Sequence, residues 1–235
     1  MRVALVSGGG RGLGAAIVDR LLADGWAVSI GARKPQGAAA RCKSAPAMRL
    51  HAAHFDADLP QTAATWVDEA AARFGRIDAL VNNAGILRMV TFETGTEEDL
   101  DAMWAVNVKA PFRLIRAALP HLRASGSGRV VNIASTDAKR YRDSSISLGY
   151  AMTKHALLAM THAARFAGWD DGVRATAICP GAIDTEMVAH LPGATSKANR
   201  LAPETVADMV AFVLALPNQA SVPELIANTR LESTL

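Results

Sequence analysis

Tyr150 and Lys154 stand four residues apart in Tyr150-Ala151-Met152-Thr153-Lys154, so a helix would set a phenol and an ammonium on one face, a turn apart. A free phenol releases its proton only near pH 10. A cation held beside it favours the phenolate and makes the group a more useful proton donor at neutral pH. The same spacing also describes an ordinary solvated pair, and the two residues alone leave both readings open.

Elements that would position such a pair begin at the N-terminus. The apolar run Arg2-Val3-Ala4-Leu5-Val6-Ser7 leads into Gly8-Gly9-Gly10-Arg11-Gly12-Leu13-Gly14, followed by apolar residues at helical spacing, Ile17, Val18, Leu21 and Leu22. Strand, glycine turn and helix in that order form a dinucleotide cradle. The glycines admit a pyrophosphate close to the backbone, and the amides and dipole of the new helix attract its charge. The next strand, Ala27 to Gly31, arrives where a βαβ unit requires it. An acidic residue at its end would hold the ribose 2′-hydroxyl of NAD and repel a 2′-phosphate, but the chain has Ala32 and then Arg33 there. With Arg11 facing the same corner, two guanidiniums suit a phosphate dianion, and the expected cofactor is NADP(H).

Strand-like and helical segments alternate to the end of the chain. Strands are predicted near 2–7, 26–32, 49–55, 77–82, 129–134, 173–179 and 222–226, and helices near 12–24, 35–43, 61–74, 97–122, 149–168 and 203–216. Alternation predicts an α/β fold: a doubly wound parallel sheet with helices on both faces and a ligand crevice at the carboxyl ends of its strands. The 235 residues, half of them hydrophobic, suffice for one domain over 1–235, without linkers or repeats. No apolar run is long enough to span a membrane and the chain starts directly in a strand, so a cytoplasmic protein is expected. Cys42 and Cys179 lack paired spacing and are expected to be free thiols. The net charge of +3 is dispersed, which argues against nucleic acid as a partner. His51 and His54 would point to opposite faces of a strand with no further ligands beside them, so no metal site is expected.

Taken together, Ser7-Gly8-x-x-x-Gly12-x-Gly14, Asp56, Asn82-Asn83-Ala84-Gly85, Asn107, Ser135, Tyr150-x-x-x-Lys154 and Pro180-Gly181-x-x-x-Thr185 resemble the classical short-chain dehydrogenase/reductase family over nearly the whole chain. The resemblance implies a Rossmann fold with a seven-stranded sheet in the order 3-2-1-4-5-6-7. It also implies that Tyr150 protonates a substrate carbonyl oxygen and that Lys154 tunes the phenol and bonds the nicotinamide ribose. Ser135 would hold the same oxygen, and Asn107 would anchor a water that returns protons toward Lys154. Asp56, with Ala57 beside it, would accept from the adenine amino group; capping of the following helix is its alternative role. Asn83, Ala84 and Gly85 would let the ribose approach the main chain. Pro180, Gly181, Ile183 and Thr185 would hold the nicotinamide carboxamide.

The chain departs from the family pattern in three places. Ser7 stands for the usual threonine, which keeps the hydroxyl. Ser135 and Tyr150 are more widely separated than in many members, so the loop 136–143 is enlarged and Thr136 becomes a second claimant to the hydroxyl role. The segment after Val222-Pro223-Glu224-Leu225-Ile226 is short, which predicts little C-terminal closure.

A short segment, about 186–203, containing Met187, Val188, Leu191, Pro192 and Gly193, would cover the substrate, with Met187, Leu191 and Tyr141 as its walls. A small or medium carbonyl compound or alcohol fits that length. Lys139, Arg140 and Arg142 are read either as attracting an acidic substrate or acyl carrier, or as a solvated cluster. Reduction of a 3-oxoacyl thioester and a non-catalytic NADP sensor remain alternatives. The resemblance further implies a homodimer or homotetramer built on the helices near 97–122 and 149–168.

Overall fold

The computed structural model describes residues 1–42, 46–189 and 195–231. Seven parallel strands, β1 (Val3–Ser7), β2 (Ala27–Ala32), β3 (Leu50–His54), β4 (Ala79–Asn82), β5 (Arg129–Ile133), β6 (Arg174–Pro180) and β7 (Glu224–Ala227), lie in the order β3-β2-β1-β4-β5-β6-β7. This is the order that the resemblance implied. Strands covered on both faces read as unbroken apolar runs, and all five residues of β1 are buried.

Helices α1 (Gly12–Ala23), α2 (Pro35–Arg41), α3 (Gln61–Phe74), α4 (Glu97–Trp104), α5 (Ala110–Ala124), α6 (Leu148–Gly168), α7 (Glu186–Ala189) and α8 (Pro203–Ala215) complete the chain. One core joins the sheet to α1, α2 and α8 through Ile17, Val18, Leu21, Ala38, Val206 and Val210. The other lies on the opposite face, where α3, α5 and α6 contribute Trp66, Val67, Leu114, Ala118 and Ala164.

Two predicted boundaries move for identifiable reasons. The strand expected over 77–82 starts only at Ala79, because the Asp78 carboxylate accepts the Val3 amide at 2.8 Å and takes the place of a ladder bond. The single helix expected over 97–122 is broken by a π-helical turn at Ala105–Lys109, with Asn107 inside it. Just beyond lies Pro111, which has no N–H to offer the Asn107 carbonyl four residues earlier. Wide turns of this kind are frequent at functional sites.

Under α3, the Trp66 indole N–H donates to the Ser29 hydroxyl at 2.8 Å, and Ser29 Oγ lies 2.9 Å from His51 Nδ1. An indole can only donate, so Ser29 Oγ accepts from Trp66 and shares its second bond with the partly buried imidazole of His51. Burial lowers the His51 pKa from its ordinary 6.5, with Arg73 acting in the same sense and Glu69 against it. The folded value therefore lies below the unfolded one. The stabilisation is complete above pH 6.5 and is lost as pH falls through 6.5 toward the folded value. Between pH 7.5 and 5 the urea midpoint of the wild type should fall more steeply than that of His51→Gln; parallel slopes would exclude this linkage.

Candidate active site

The carboxyl ends of β1, β4, β5 and β6 meet along one edge of the sheet, and the residues singled out in the sequence lie there. β1 ends in Ser7, whose Oγ accepts the amides of Asn83 and Ala84, both at 3.0 Å. Asn83 Nδ2 returns a bond to the Ser7 carbonyl at 2.9 Å, so the end of β4 and the glycine turn are tied together. A hydroxyl at position 7 is what this clasp needs, and serine supplies it.

Within the turn, Gly8 and Gly12 have φ of 68° and 52°, left-handed values that side-chain-bearing residues resist. A Cβ on Gly14 would lie 2.3 Å from the Gly8 carbonyl oxygen, and one on Gly10 would lie 3.3 Å from Ala38 Cβ. Leu13 is buried at the start of α1, and Arg11 is the residue before that helix. The tightly wound backbone, with helix amides opening outward, has the form of an anion cradle. Gly85 extends it past β4, where a Cβ would lie 3.3 Å from Asn107 Oδ1 and 3.7 Å from Lys154 Nζ.

Arg11 pairs with Glu186 of α7 at 2.5 Å, both side chains being well exposed. Exposed pairs of this kind contribute about 1 kcal/mol or less, so the contact is readily exchanged. Arg33 is exposed just beyond Ala32 and has no ion pair among the described residues. Thr185, leading into α7, sets its methyl 3.5 Å from where a Gly12 Cβ would be, which brings the segment after β6 against the glycine turn. In that segment Pro180 closes β6, the Gly181 amide donates to Ala227, and Ile183 bridges to Leu201. Leu191, Pro192 and Gly193 lie outside the described residues.

Asp56 does not cap the helix that follows it. Its Oδ1 accepts the Asp58 amide at 3.1 Å, while its main chain is bonded by Thr62, and α3 starts without a side-chain cap. Ala57 offers its carbonyl to Arg113 at 3.0 Å.

Tyr150 and Lys154 share the buried face of α6 and Ser135 comes against them from the end of β5. Lys154 Nζ lies 5.4 Å from the centre of the Tyr150 ring and donates to the Ile133 carbonyl at 2.8 Å. Contrary to expectation, the phenol is not drawn toward ionisation. Burial raises its pKa well above 10, the Asp137 carboxylate adds to the rise, and a hydrogen bond with Ser135 opposes it. Lys154 is itself brought down to about 8 by burial, with Cys179 and Asp137 acting against the fall. Desolvation outweighs the mutual influence of the pair because the ammonium is turned to a backbone carbonyl.

Asn107 is 1% exposed and fully engaged. Its Oδ1 accepts the Ile86 amide at 2.9 Å, and its Nδ2 donates to the Ile86 carbonyl at 2.9 Å and to Thr153 Oγ1 at 3.1 Å. The side chain therefore joins the loop after β4 to α6. Thr136 is buried in the 3-10 turn Thr136–Ala138 directly after Ser135.

Several contributors escaped the reading of the sequence. Ser147 caps α6 by accepting the Tyr150 amide at 3.2 Å and donates to Arg88 O at 2.7 Å, which fixes where the Tyr150 turn starts. A serine three residues before the tyrosine was a visible cap signal. Thr153 and the Ile86 backbone had none. Asp137 was read as part of an enlarged basic loop, but its amide donates to Ser135 Oγ at 3.0 Å and its side chain is mostly buried. The cations of that loop are paired: Lys139 with Glu224 at 2.6 Å, Arg140 with Asp137 at 2.9 Å and Arg142 with Asp143 at 2.7 Å. Tyr141 spends its hydroxyl on the Ile146 carbonyl of the same loop. Among the described residues there is no cluster suited to a metal ion and no helix long and apolar enough to cross a membrane.

Comparison with known proteins agrees with this geometry. The family model for short chain dehydrogenase matches residues 2–195. Agropine synthesis reductase of Rhizobium rhizogenes is 40% identical over 222 residues, covering 94% of this chain, which in turn spans only 51% of that protein. A 3-alpha-(or 20-beta)-hydroxysteroid dehydrogenase of Mycobacterium tuberculosis is 33% identical over 81% of this chain and 72% of its own length. Among solved structures, an alcohol dehydrogenase from the archaeon Thermococcus sibiricus complexed with 5-hydroxy-NADP superposes with a TM-score of 0.88 at 29% identity, covering 99% of both chains. A blue fluorescent protein from a metagenomic library, in complex with NADPH, gives 0.83 at 31% identity over 97% of this chain and 96% of its own. With the strand order, the glycine turn and the buried tyrosine and lysine all in place, the chain belongs to the short-chain dehydrogenase family.

Proposed function

We propose that this protein is an NADP(H)-dependent reductase of a small or medium carbonyl compound, able to oxidise the corresponding secondary alcohol in reverse. The observation that carries the reading is the buried convergence of Tyr150, Lys154 and Ser135 beside a glycine-lined cradle. In this reading Gly8, Gly10, Gly12 and Gly14 hold the pyrophosphate, Asn83, Ala84 and Gly85 border the ribose, and Pro180, Gly181, Ile183 and Thr185 face the carboxamide. Asp56 and Ala57 border the adenine. When bound, the reduced nicotinamide supplies the hydride. Ser135 orients the carbonyl oxygen by its hydroxyl, and Tyr150 gives that oxygen its proton as the carbonyl carbon becomes C–H. Lys154 holds positive charge against the phenolate left behind. The Asn107 carbonyl, which Pro111 cannot bond, is the acceptor for a water that brings the replacement proton toward Lys154.

The basic loop supports a small uncharged or weakly charged substrate over an acyl carrier, since each of its three cations already faces a carboxylate. Residues 186–203 would cover the substrate, Met187 being exposed there. Exposed Phe112 on α5 and Met152 and Phe166 on α6 support pairing of those helices between two copies. Two free, buried cysteines suit a reducing cytoplasm.

Following absorbance of the reduced nicotinamide with ketones, aldehydes, sugars and acyl thioesters tests the reading directly. Carbonyl-dependent oxidation of NADPH is expected with at least one group, and its absence from all of them defeats the proposal in favour of a sensor. For the cofactor, Ala32→Asp places a carboxylate where the 2′-phosphate would lie, next to exposed Arg33. The NADPH/NADH ratio of kcat/KM should fall by roughly a hundredfold, about 2.7 kcal/mol. An unchanged ratio would remove the assignment to NADP(H).

A further inference from the structure

Arg129 opens β5 at the amino-terminal edge of the sheet, a strand's length from Ser135, and is only 7% exposed. Its bonds go to neutral oxygens. Nη1 donates to the carbonyls of Ser127 at 3.1 Å and Gly128 at 3.0 Å and to Asn218 Oδ1 at 2.8 Å, and Nη2 donates to the Leu216 carbonyl at 2.9 Å. Nε takes no part in these bonds. Neither Arg129 nor Arg2 has an ion pair among the described residues; the Arg2 guanidinium lies 4.1 Å from the centre of the Trp26 ring and donates to the Leu214 carbonyl at 3.2 Å. Arg174, the register partner of Arg129 on β6, likewise bonds carbonyls and stacks on Trp169 at 3.7 Å. A buried guanidinium with neutral partners alone keeps its charge uncompensated.

There is room beside these cations. Arg129 and Arg2 line a cavity of about 160 Å³, with Trp26, Leu216 and Pro217 as apolar walls. A cavity of roughly 150 Å³ suffices for a molecule the size of benzene. Asp78 also lines it, but that carboxylate is engaged, accepting the Val3 amide at 2.8 Å and pairing with Arg76 at 2.5 Å. The cavity therefore presents two guanidiniums without a counter-charge of their own. Burial lowers the Arg129 pKa from its ordinary 12.5, and the like charges of Arg174 and Arg2 add to the fall, which a bound anion would reverse. A guanidinium grips a carboxylate through paired N–H bonds, while Asp78 next to it opposes an anion of higher charge.

We propose that this cavity is a second ligand site, apart from the glycine-lined cradle, and that it takes a small monocarboxylate. The carboxylate meets Arg129 and Arg2, and the hydrocarbon end lies against Trp26, Leu216 and Pro217. Because the site is at the opposite edge of the sheet from Ser135, it stands whether or not the protein turns over NADPH.

Proton–nitrogen NMR of the tryptophan indoles in the wild type tests it, the Trp26 resonance being identified by its loss in Trp26→Phe. At constant ionic strength, sodium butyrate should shift that resonance saturably, with a half-point at roughly millimolar concentration. Butyramide, equal in size and uncharged, should leave it in place. Arg2→Gln, a change at an exposed side chain, should raise the butyrate half-point by on the order of tenfold. Three results overturn the proposal: a Trp26 resonance unmoved by butyrate, an equal shift with butyramide, or a half-point unchanged in Arg2→Gln. Inorganic phosphate acting as well as butyrate would also overturn it, since the hydrocarbon end would then contribute nothing. The wild-type comparison of butyrate with butyramide decides the matter even if Arg2→Gln does not fold.

Discussion

Tyr150→Phe should lose roughly a thousandfold in kcat for carbonyl reduction, about 4 kcal/mol of transition-state stabilisation, while still binding NADPH. The substitution removes one oxygen and keeps the ring, which lies 9% exposed with the Lys154 ammonium 5.4 Å from its centre. The caps and packing that place α6 do not depend on that oxygen, since Ser147 bonds the backbone amide at position 150. The melting temperature should therefore stay within a few degrees. Burial holds the phenol protonated throughout the working range, so it is always loaded as a donor. Ser135 remains in the variant and can still polarise a carbonyl, but its proton is far less acidic than that of a phenol. Stopped-flow measurement of NADPH oxidation, with NADPH affinity followed by fluorescence, separates the two effects. If Tyr150→Phe kept more than a tenth of the wild-type rate, the proton would have to come from another group and the assignment of Tyr150 would fail.

How far this could be read from the chain differs between fold and site. The sheet was legible because its strands are buried on both faces: Val3 to Val6 is a continuous apolar run, and such runs alternate with helical patterns in a way that few topologies satisfy. Glycine positions were legible for a related reason, since left-handed φ at Gly8 and Gly12 leaves little choice of residue. What escaped depends on contacts between segments distant in sequence. The amide clasp of Asn107 on Ile86 spans 21 positions, and nothing in either residue type announces it. The π turn that carries Asn107 could have been suspected from Pro111, yet a proline in the first turn of a helix is ordinary and only its distance from Asn107 makes it informative. The phenol was misjudged on the same ground: spacing reports that a cation is near, but the balance between that cation and burial is decided by walls the spacing does not describe. Asp137 was hidden by its company, since a loop with three basic residues reads as cationic until their pairing with Asp137, Asp143 and Glu224 is seen.

Asn107→Leu should show how much of the site depends on that clasp. The substitution keeps the bulk of a side chain that is 1% exposed but leaves the Ile86 N–H and C=O without the partners they have at 2.9 Å. Each orphaned backbone group costs about 1–3 kcal/mol, partly offset because the amide itself no longer has to be desolvated. A net loss of roughly 2–4 kcal/mol follows, which for a chain of this length lowers the melting temperature by about 4–16 °C. Asn107→Asp should fall between the two, because a carboxylate still accepts from the Ile86 amide but cannot donate to its carbonyl or to Thr153. The effect on turnover should exceed the effect on stability. Gly85, whose would-be Cβ points at Asn107 Oδ1 and Lys154 Nζ, sits in the same loop, so loosening Ile86 frees the wall beside the lysine. Measured well below the melting point, with the variant fully folded, kcat of Asn107→Leu should still be down by on the order of a hundredfold, since small misplacements near reacting groups cost that much. A variant that melted early but reduced carbonyls at the wild-type rate would make Asn107 a brace for the fold alone. It would also take the proton-returning water away from its carbonyl.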